Sequence, residues 1–103
     1  MYRLDHAYDK YGKLSGIHNF ELKPSDYLRR QLWATFQDDP TGAATYQFFG
    51  ANRYMWASDF PHTDSTWPHS QEVIRRDFAR VPEEVTRKIV CGNSAKLYGI
   101  EVN

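Results

Sequence analysis

Two short apolar runs that end in polar turns constrain the fold of this chain more than any other feature. Residues 31–36 read QLWATF and are followed by QDDP, and residues 53–57 read RYMWA and are followed by SDFPH. Apolar, β-branched runs of this length bounded by turn residues are typical of strands. We therefore predict strands over 31–36 and 53–57, and we expect the second to be buried on both faces.

Helical signals lie between and after these runs. Pro24 and a capping Ser25 predict a short helical turn over residues 25–30. Asp39 and Pro40 have the chemistry of a helix start, and Gly50 that of a stop. This helix would carry three aromatic side chains on one side: Tyr46, Phe48 and Phe49.

The C-terminal third predicts helices as well. Four apolar residues recur at helical spacing after residue 70, namely Val73, Ile74, Phe78 and Val81. A last helix begins at Pro82 and ends at Gly92, and its acids precede its bases, as the helix dipole favours. Asn93 is then expected to cap a final turn that Gly99 closes.

The order strand, helix, strand, helix, helix favours parallel β/α units, in which the loops that follow the strands carry function. A closed β/α barrel needs eight strands and about 250 residues, so a chain of 103 residues holds about a quarter to a third of one. Residues 1–23, which Gly12 and Gly16 interrupt, have no clean periodicity and are predicted to be irregular.

Composition excludes several classes of protein. The 13 basic and 13 acidic residues balance, which argues against a nucleic-acid partner and against an acidic disordered tail. No run approaches the roughly 18 apolar residues of a membrane span, and the charged N-terminus does not resemble a signal peptide. A single cysteine forms no internal disulfide. We expect one globular domain in the cytoplasm, with no membrane partner.

The densest polar cluster, residues 58–68, directly follows the second predicted strand. A carboxylate at the end of a buried strand can bind a divalent metal and exchange a proton with metal-bound water, and Asp59 is our candidate for this role. His62 and Asp64 could join the site, and Trp67 could wall a pocket or cover a rim. The alternative is an ordinary loop whose side chains bond to their own backbone.

Other reactive residue types have weaker signals. Ser58 and Ser65 lack the glycine-flanked turn of a nucleophilic serine. Cys91 is expected to be a small buried hydrophobic residue. Arg29 and Arg30 are expected at a solvated helix end, with binding of a substrate carboxylate as the alternative. The remaining histidines are predicted to be surface residues: His6, His18 and His69.

Three segments, in this order and spacing, resemble a known family. They are residues 24–40, the run WASDFPH with DSTWP at residues 56–68, and GNSAKLYG at residues 92–99. Together they are similar to the C-terminal end of the amidohydrolase-related family, in the branch that includes aminocarboxymuconate-semialdehyde decarboxylase.

The resemblance implies a TIM-type (β/α)8 barrel with one divalent metal ion, zinc first and manganese as the alternative. The position that matches the family's metal ligand and base is Asp59. The family's other ligands, a His-x-His pair and further histidines, have no counterpart in this sequence. The resemblance thus implies the C-terminal part of a barrel: an irregular leader (1–23), the seventh (24–52) and eighth (53–81) β/α units, and C-terminal helices (82–103).

Two functions from different classes follow. The first is part of a metal-dependent enzyme, incomplete by itself, that hydrolyses or decarboxylates a small carboxylated substrate, with Asp59 as ligand and base and with His62 and Trp67 lining the pocket. The alternative is a non-catalytic module derived from the barrel, which forms homo-oligomers through exposed sheet edges. A third interpretation is an incomplete reading frame whose N-terminal barrel part is missing.

Overall fold

The computed structural model describes residues 1–17 and 19–102, which form two compact units. The N-terminal unit is Met1–Leu32 and the C-terminal unit is Trp33–Asn103. The boundary between them falls just before the first strand. The predicted surface position of His18 lies outside the described residues.

The N-terminal unit consists of two helices, α1 (Tyr2–Tyr11) and α2 (Pro24–Gln31). The prediction of an irregular leader is therefore wrong over α1, which ends before the first glycine and has Asp5 in its first turn and Lys10 in its last. The helix α2 is confirmed, but its cap differs from the prediction. Its N-cap residue is Lys23, and the Ser25 N–H donates to Asp5 Oδ1 at 2.9 Å.

The C-terminal unit contains a parallel sheet of two strands, β1 (Ala34–Phe36) and β2 (Tyr54–Trp56). Ala34 pairs with Tyr54 and Phe36 with Trp56. Both predicted strands are confirmed, each shortened to three residues. Burial of β2 on both faces holds in part, since Met55 is buried while its neighbours are half-buried.

Five helices complete this unit: α3 (Pro40–Ala44), α4 (Tyr46–Phe49), α5 (Ser70–Asp77), α6 (Glu83–Arg87) and α7 (Asn93–Tyr98). The predicted cap of α3 is confirmed, because Asp39 Oδ1 accepts from Thr41 N at 2.8 Å. The single helix expected between Pro40 and Gly50 is broken at Thr45. Phe48 does not share the side of Tyr46, which packs against the core, and is 77% exposed.

The core lies between the sheet and these helices. Ala43 of α3, Phe78 and Ile89 are buried at its centre. Three strand residues on the helix side of the sheet pack against them: Phe36, Tyr54 and Trp56. The predicted apolar side of α5 is confirmed, since Val73 is buried and Ile74 and Val81 pack against the core together with Phe78.

The C-terminal helices differ from the prediction at Gly92. The backbone continues from α6 through a π-helical turn, Lys88–Gly92, into α7, and Gly92 and Asn93 both have helical dihedral angles. The predicted helix end at Gly92 and the predicted helix cap at Asn93 are therefore both wrong. The π-turn places an extra residue in the helix, so that Ile89 faces the core and Cys91, predicted to be buried, is exposed. Gly99 closes α7 in the left-handed region at φ 66°, as expected.

Among the described residues, no helix combines the length and the apolar character that crossing a membrane requires.

Candidate functional site

The candidate site forms where the two parallel strands end at the same edge of the sheet. Ala34 N donates to Arg53 O at 3.1 Å, and Ala57 N donates to Phe36 O at 2.9 Å beyond the last strand residues. Gln37 therefore leaves β1 beside the point where residues 57–59 leave β2. In α/β proteins this edge is where ligands bind.

The chain after β2 folds into a closed loop, which we call the Asp59 loop (residues 58–66). Thr66 N and Ser65 Oγ both donate to Ser58 O, at 3.0 and 2.8 Å, and so join the two ends of the loop. Within it, His62 N donates to Asp59 O at 2.9 Å. Thr66 is buried, and its hydroxyl lies 2.8 Å from that of Ser70 in the first turn of α5. The loop is thus fixed to the helix that follows it.

Asp59 has an unusual backbone conformation at the start of this loop. Its φ is 58°, in the left-handed region that few residues other than glycine adopt, although Asp and Asn are tolerated there. Such backbone strain is found most often at functional sites, where the surrounding structure maintains it. The side chain remains 40% exposed, so its carboxylate is available to a ligand.

His62 lies beside Asp59. Its Nδ1 is 3.5 Å from Asp59 Oδ2, and its side chain is 76% exposed. Trp67, the other predicted pocket residue, is 65% exposed and meets Phe60 edge to face, with ring centroids 6.0 Å apart. The structure therefore brings His62 to Asp59, and it pairs Phe60 of the loop with Trp67, the residue that follows the loop.

The remaining polar residues of the loop bond mainly to the protein. Ser65 Oγ accepts from Trp67 N at 3.2 Å, and Ser58 Oγ accepts from Phe60 N at 3.4 Å. These are the local bonds of the alternative loop interpretation. Asp64, which we expected could join the site, instead accepts from Gln37 Nε2 at both its backbone oxygen (3.1 Å) and its Oδ2 (3.3 Å).

Gln37 and Asp38 are the residues that sequence reasoning missed, because QDDP was assigned to turn chemistry alone. Arg76 of α5 pairs with Asp38 and with Asp77, whose Oδ1 lies 2.7 Å from Arg76 Nε. These two carboxylates, Asp77 first, raise the pKa of Arg76. A usable signal was present: Gln37 and Asp38 are the first polar residues after β1, and Ser58 and Asp59 are the first polar residues after β2.

The other predicted positions belong to other elements of the structure. In the N-terminal unit, Arg29 Nη1 donates to Ser25 Oγ at 3.1 Å and Arg30 lies over the Tyr27 ring, while both remain exposed, as expected of a solvated helix end. His6 is half-buried rather than on the surface. His69 is exposed, 3.8 Å from Glu72, as predicted.

Tyr54, the first residue of β2, lies on the helix side of the sheet and has a shifted pKa. Burial, and then the charge of Asp39, raise the pKa of Tyr54 above its usual 10.0. Its hydroxyl therefore remains protonated at neutral pH and adds no charge beside the strands.

The described residues fit one ligand of a metal site and not a complete one. Asp59 offers a part-exposed carboxylate at the end of a parallel strand, as a hard or borderline divalent metal prefers. Among residues 1–17 and 19–102, however, no three His, Cys, Asp or Glu side chains come together in a way that could hold a metal ion.

Comparisons with known proteins agree with this architecture. The family model described as amidohydrolase matches residues 1–100. Among solved structures, the chain is similar to 5-carboxyvanillate decarboxylase LigW from Sphingomonas paucimobilis, with 29% sequence identity and a TM-score of 0.76. The match covers 97% of this chain and 30% of that one, so the chain spans less than a third of the length of this relative. A search of curated protein sequences found no match.

Proposed function

Because the chain belongs to the amidohydrolase family, we propose that it is one part of a metal-dependent enzyme that decarboxylates a small carboxylated substrate. The observation that carries this proposal is the position of Asp59, strained and part-exposed at the end of β2. The similarity to a decarboxylase favours carbon–carbon cleavage over hydrolysis. We assign the substrate to the same chemical class as that relative's: a carboxylate on an aromatic ring.

In this proposal β1 and β2 are the seventh and eighth strands of a TIM-type barrel, and α6 and α7 are its C-terminal helices. The parallel pairing of the strands and the single layer of helices on one face support this position. In this proposal the remaining metal ligands belong to other parts of the barrel; among residues 1–17 and 19–102, no three potential ligands come together.

Asp59 is assigned two tasks, metal ligand and proton carrier. A divalent metal, when bound, would act as a Lewis acid that polarises the substrate's oxygens. In a decarboxylation the bond to the departing CO2 breaks, and a proton takes its place on the carbon. The Asp59 carboxylate is the group of this chain that holds this proton, and the His62 imidazole, whose Nδ1 lies 3.5 Å from Asp59 Oδ2, is the neighbouring group that can exchange a proton with it.

Trp67 and Phe60 are assigned to the wall of the substrate pocket. Both rings are 65% exposed, although aromatic side chains of this size are normally covered in a folded protein. Aromatic side chains beside a carboxylate can bind a flat substrate by stacking, and they exclude water from the reacting bond.

A chimaera tests the proposal directly. Residues 1–100 of this chain replace the matching segment of 5-carboxyvanillate decarboxylase, and CO2 release from 5-carboxyvanillate is measured with Zn²⁺ or Mn²⁺. We expect turnover, and we expect Asp59→Asn to lower kcat by about 10²- to 10⁴-fold. Asn is chosen because it tolerates the left-handed backbone of Asp59 and so changes the chemistry alone.

Glu72→Gln is the matched control, since it makes the same chemical change at an exposed acid on α5. Circular dichroism and metal content establish that each chimaera is folded and loaded. Full turnover in the Asp59→Asn chimaera would refute the assignment of Asp59. A folded, metal-loaded chimaera without turnover would refute decarboxylation of this substrate class.

One observation favours the second candidate, an interaction module. Each strand of the two-stranded sheet has one edge that no other described strand covers, and such edges pair readily with other chains. In this alternative the chain binds copies of itself through β1 or β2. Its oligomeric state separates the two candidates.

A further inference from the structure

We propose that Gln37 is a positioning residue that holds the Asp59 loop against the end of β1. The inference rests on the proposed function of Asp59, because a held loop matters for catalysis only if its carboxylate acts there. It assigns a part in that function to Gln37, which follows β1 and has no reactive group of its own.

The contact is bidentate and joins distant parts of the sequence. Gln37 Nε2 donates to Asp64 O at 3.1 Å and to Asp64 Oδ2 at 3.3 Å, across 27 residues. Gln37 is half-buried directly after β1, and its backbone is therefore fixed by the sheet. A side chain on a fixed backbone, itself held by two hydrogen bonds, ties the loop to the sheet.

The hydrogen bonds inside the loop do not supply this link. Those of Ser58 with Ser65 and Thr66, and that of His62 with Asp59, close the loop on itself. Closure fixes the shape of the loop but leaves its angle to the sheet to other contacts. The bonds from Gln37 supply such a contact at Asp64, one residue before Ser65, which closes the loop on Ser58.

Asp38, the residue after Gln37, connects the end of β1 to α5, the helix that follows the loop. Asp38 pairs with Arg76 of α5, and Arg76 also donates from Nε to Asp77 Oδ1 at 2.7 Å. Residues 37 and 38 thus attach the loop and the helix after it to the end of β1. Reacting groups held in this way lose less entropy on reaching the transition state, and small displacements are costly in rate.

We expect loss of the contact between Gln37 and Asp64 to affect the strained backbone of Asp59. A residue at φ 58° stays there only if the surrounding contacts over-determine it. If Gln37 releases Asp64, we expect the loop to relax and the Asp59 carboxylate to leave the strand ends.

The test begins with amide hydrogen exchange on the 103-residue chain, without substrate or metal. Gln37→Glu keeps the shape of the side chain but removes the donor and faces Asp64 with a second carboxylate. We expect the His62 and Thr66 amides to exchange about 3- to 10-fold faster, as loss of a hydrogen bond allows. The Phe78 amide, which donates to Ile74 O within the core, should be unchanged.

Two further variants separate positioning from general destabilisation. Gln47→Glu makes the same change at an exposed residue of α4 and should leave the His62 and Thr66 amides unchanged. Gln37→Glu combined with Asp64→Asn restores a side-chain hydrogen bond in the reverse direction, and we expect it to recover at least half of the lost protection. Unchanged loop amides in Gln37→Glu, or equal acceleration at Phe78, would overturn the inference.

The same variants in the chimaera report on catalysis. We expect Gln37→Glu to lower kcat about 10-fold with little change in KM, and the double variant to recover part of the loss. Faster loop exchange with unaltered kcat would overturn the positioning role. If Asp59→Asn does not affect turnover, the proposed function is refuted instead. The exchange measurement still tests the contact of Gln37 with Asp64, because it does not depend on turnover.

Discussion

At the scale of single residues, Gly42 determines how closely α3 approaches the sheet. A Cβ at this position would lie 2.5 Å from Phe36 Cδ2 and 2.8 Å from Phe36 Cγ. The Phe36 ring has little room to retreat, because it stacks on Tyr54 with centroids 4.5 Å apart and contacts Phe78 at 6.0 Å. Gly92 differs, since its nearest neighbour would be Arg87 O at 3.7 Å and its backbone is helical.

These two glycines make a matched pair of predictions. Gly42→Ala should lower the free energy of unfolding by about 1–3 kcal/mol, because the added methyl overpacks the core. Gly92→Ala should leave it unchanged or raise it by up to about 1 kcal/mol, because alanine restricts the unfolded chain and favours a helix. Urea denaturation followed by circular dichroism measures both. Equal effects of the two substitutions would contradict the packing argument.

At the scale of elements, the π-turn directs Asn93 towards β2. Asn93 is 5% exposed, and its Nδ2 donates to Ala51 O at 2.6 Å and to Tyr54 O at 2.8 Å. One side chain thus fixes the start of the strand whose other end carries Asp59. The sequence suggested a helix cap for this asparagine, and the structure uses the same amide to join a helix to a strand.

Removal of this amide should destabilise the C-terminal unit. Asn93→Ala leaves two carbonyl oxygens without their donor, and we expect a loss of about 2–4 kcal/mol in the free energy of unfolding. Asn52→Ala, at an exposed asparagine of the same turn, should change it by less than about 0.5 kcal/mol. Urea denaturation of the two variants compares them, and an equally small effect of Asn93→Ala would show that water or a neighbour replaces the amide.

The contact between α1 and α2 should depend on pH. The nearby Ser25 hydroxyl, and then the Ser25 N–H, hold the pKa of Asp5 below its usual 3.8. The unfolded chain therefore binds this proton more readily. The stabilising contribution of Asp5 is complete above pH 3.8 and is lost as the pH falls through the lower pKa of the folded state.

An NMR titration of the Asp5 side chain measures this directly. We expect a midpoint below 3.8, and protection of the Ser25 amide that disappears over the same pH range. Asp5→Asn is the control, because protection of Ser25 in that variant should no longer follow this titration. A midpoint at or above 3.8 would contradict the contact.

At the scale of the whole molecule, the chain exposes features that larger proteins cover. Four aromatic side chains are at least 65% exposed in the C-terminal unit: Phe48, Phe60, Trp67 and Tyr98. The two-stranded sheet also has uncovered edges in the described part of the chain. Exposed apolar side chains and free strand edges promote association.

Light scattering coupled to size exclusion distinguishes the two candidate functions. For a part of a larger barrel, we expect association that grows with protein concentration and reaches no single size. A stable oligomer of one defined mass, unchanged over a tenfold range of concentration, would favour the interaction module instead. A substitution of Thr35, an exposed residue of β1, with lysine should reduce association through that edge.

Much of the fold could be predicted from local patterns. Three kinds of feature depend on residues close together in the sequence, and local patterns therefore predict them. They are the strands at residues 34–36 and 54–56, the Asp39 cap and the apolar side of α5. The predictions are wrong where a residue distant in the sequence determines the local structure. The helix α1 has a weak apolar pattern of its own and makes contacts to α2 through Asp5, and the π-turn at residues 88–92 sets which side chains face the core.

The sequence by itself determined the alternation of strands and helices after residue 33 and the place of Asp59 after a strand, because these depend on local patterns, and its motifs carried the resemblance to the amidohydrolase family. Only the tertiary structure decided that Asp59 adopts a left-handed backbone, that Gln37 binds Asp64 and that Asn93 holds β2. Contacts across 27 to 39 residues depend on how strands and helices pack. A side-chain amide has the same hydrogen-bonding capacity in every fold, and packing alone selects its partner.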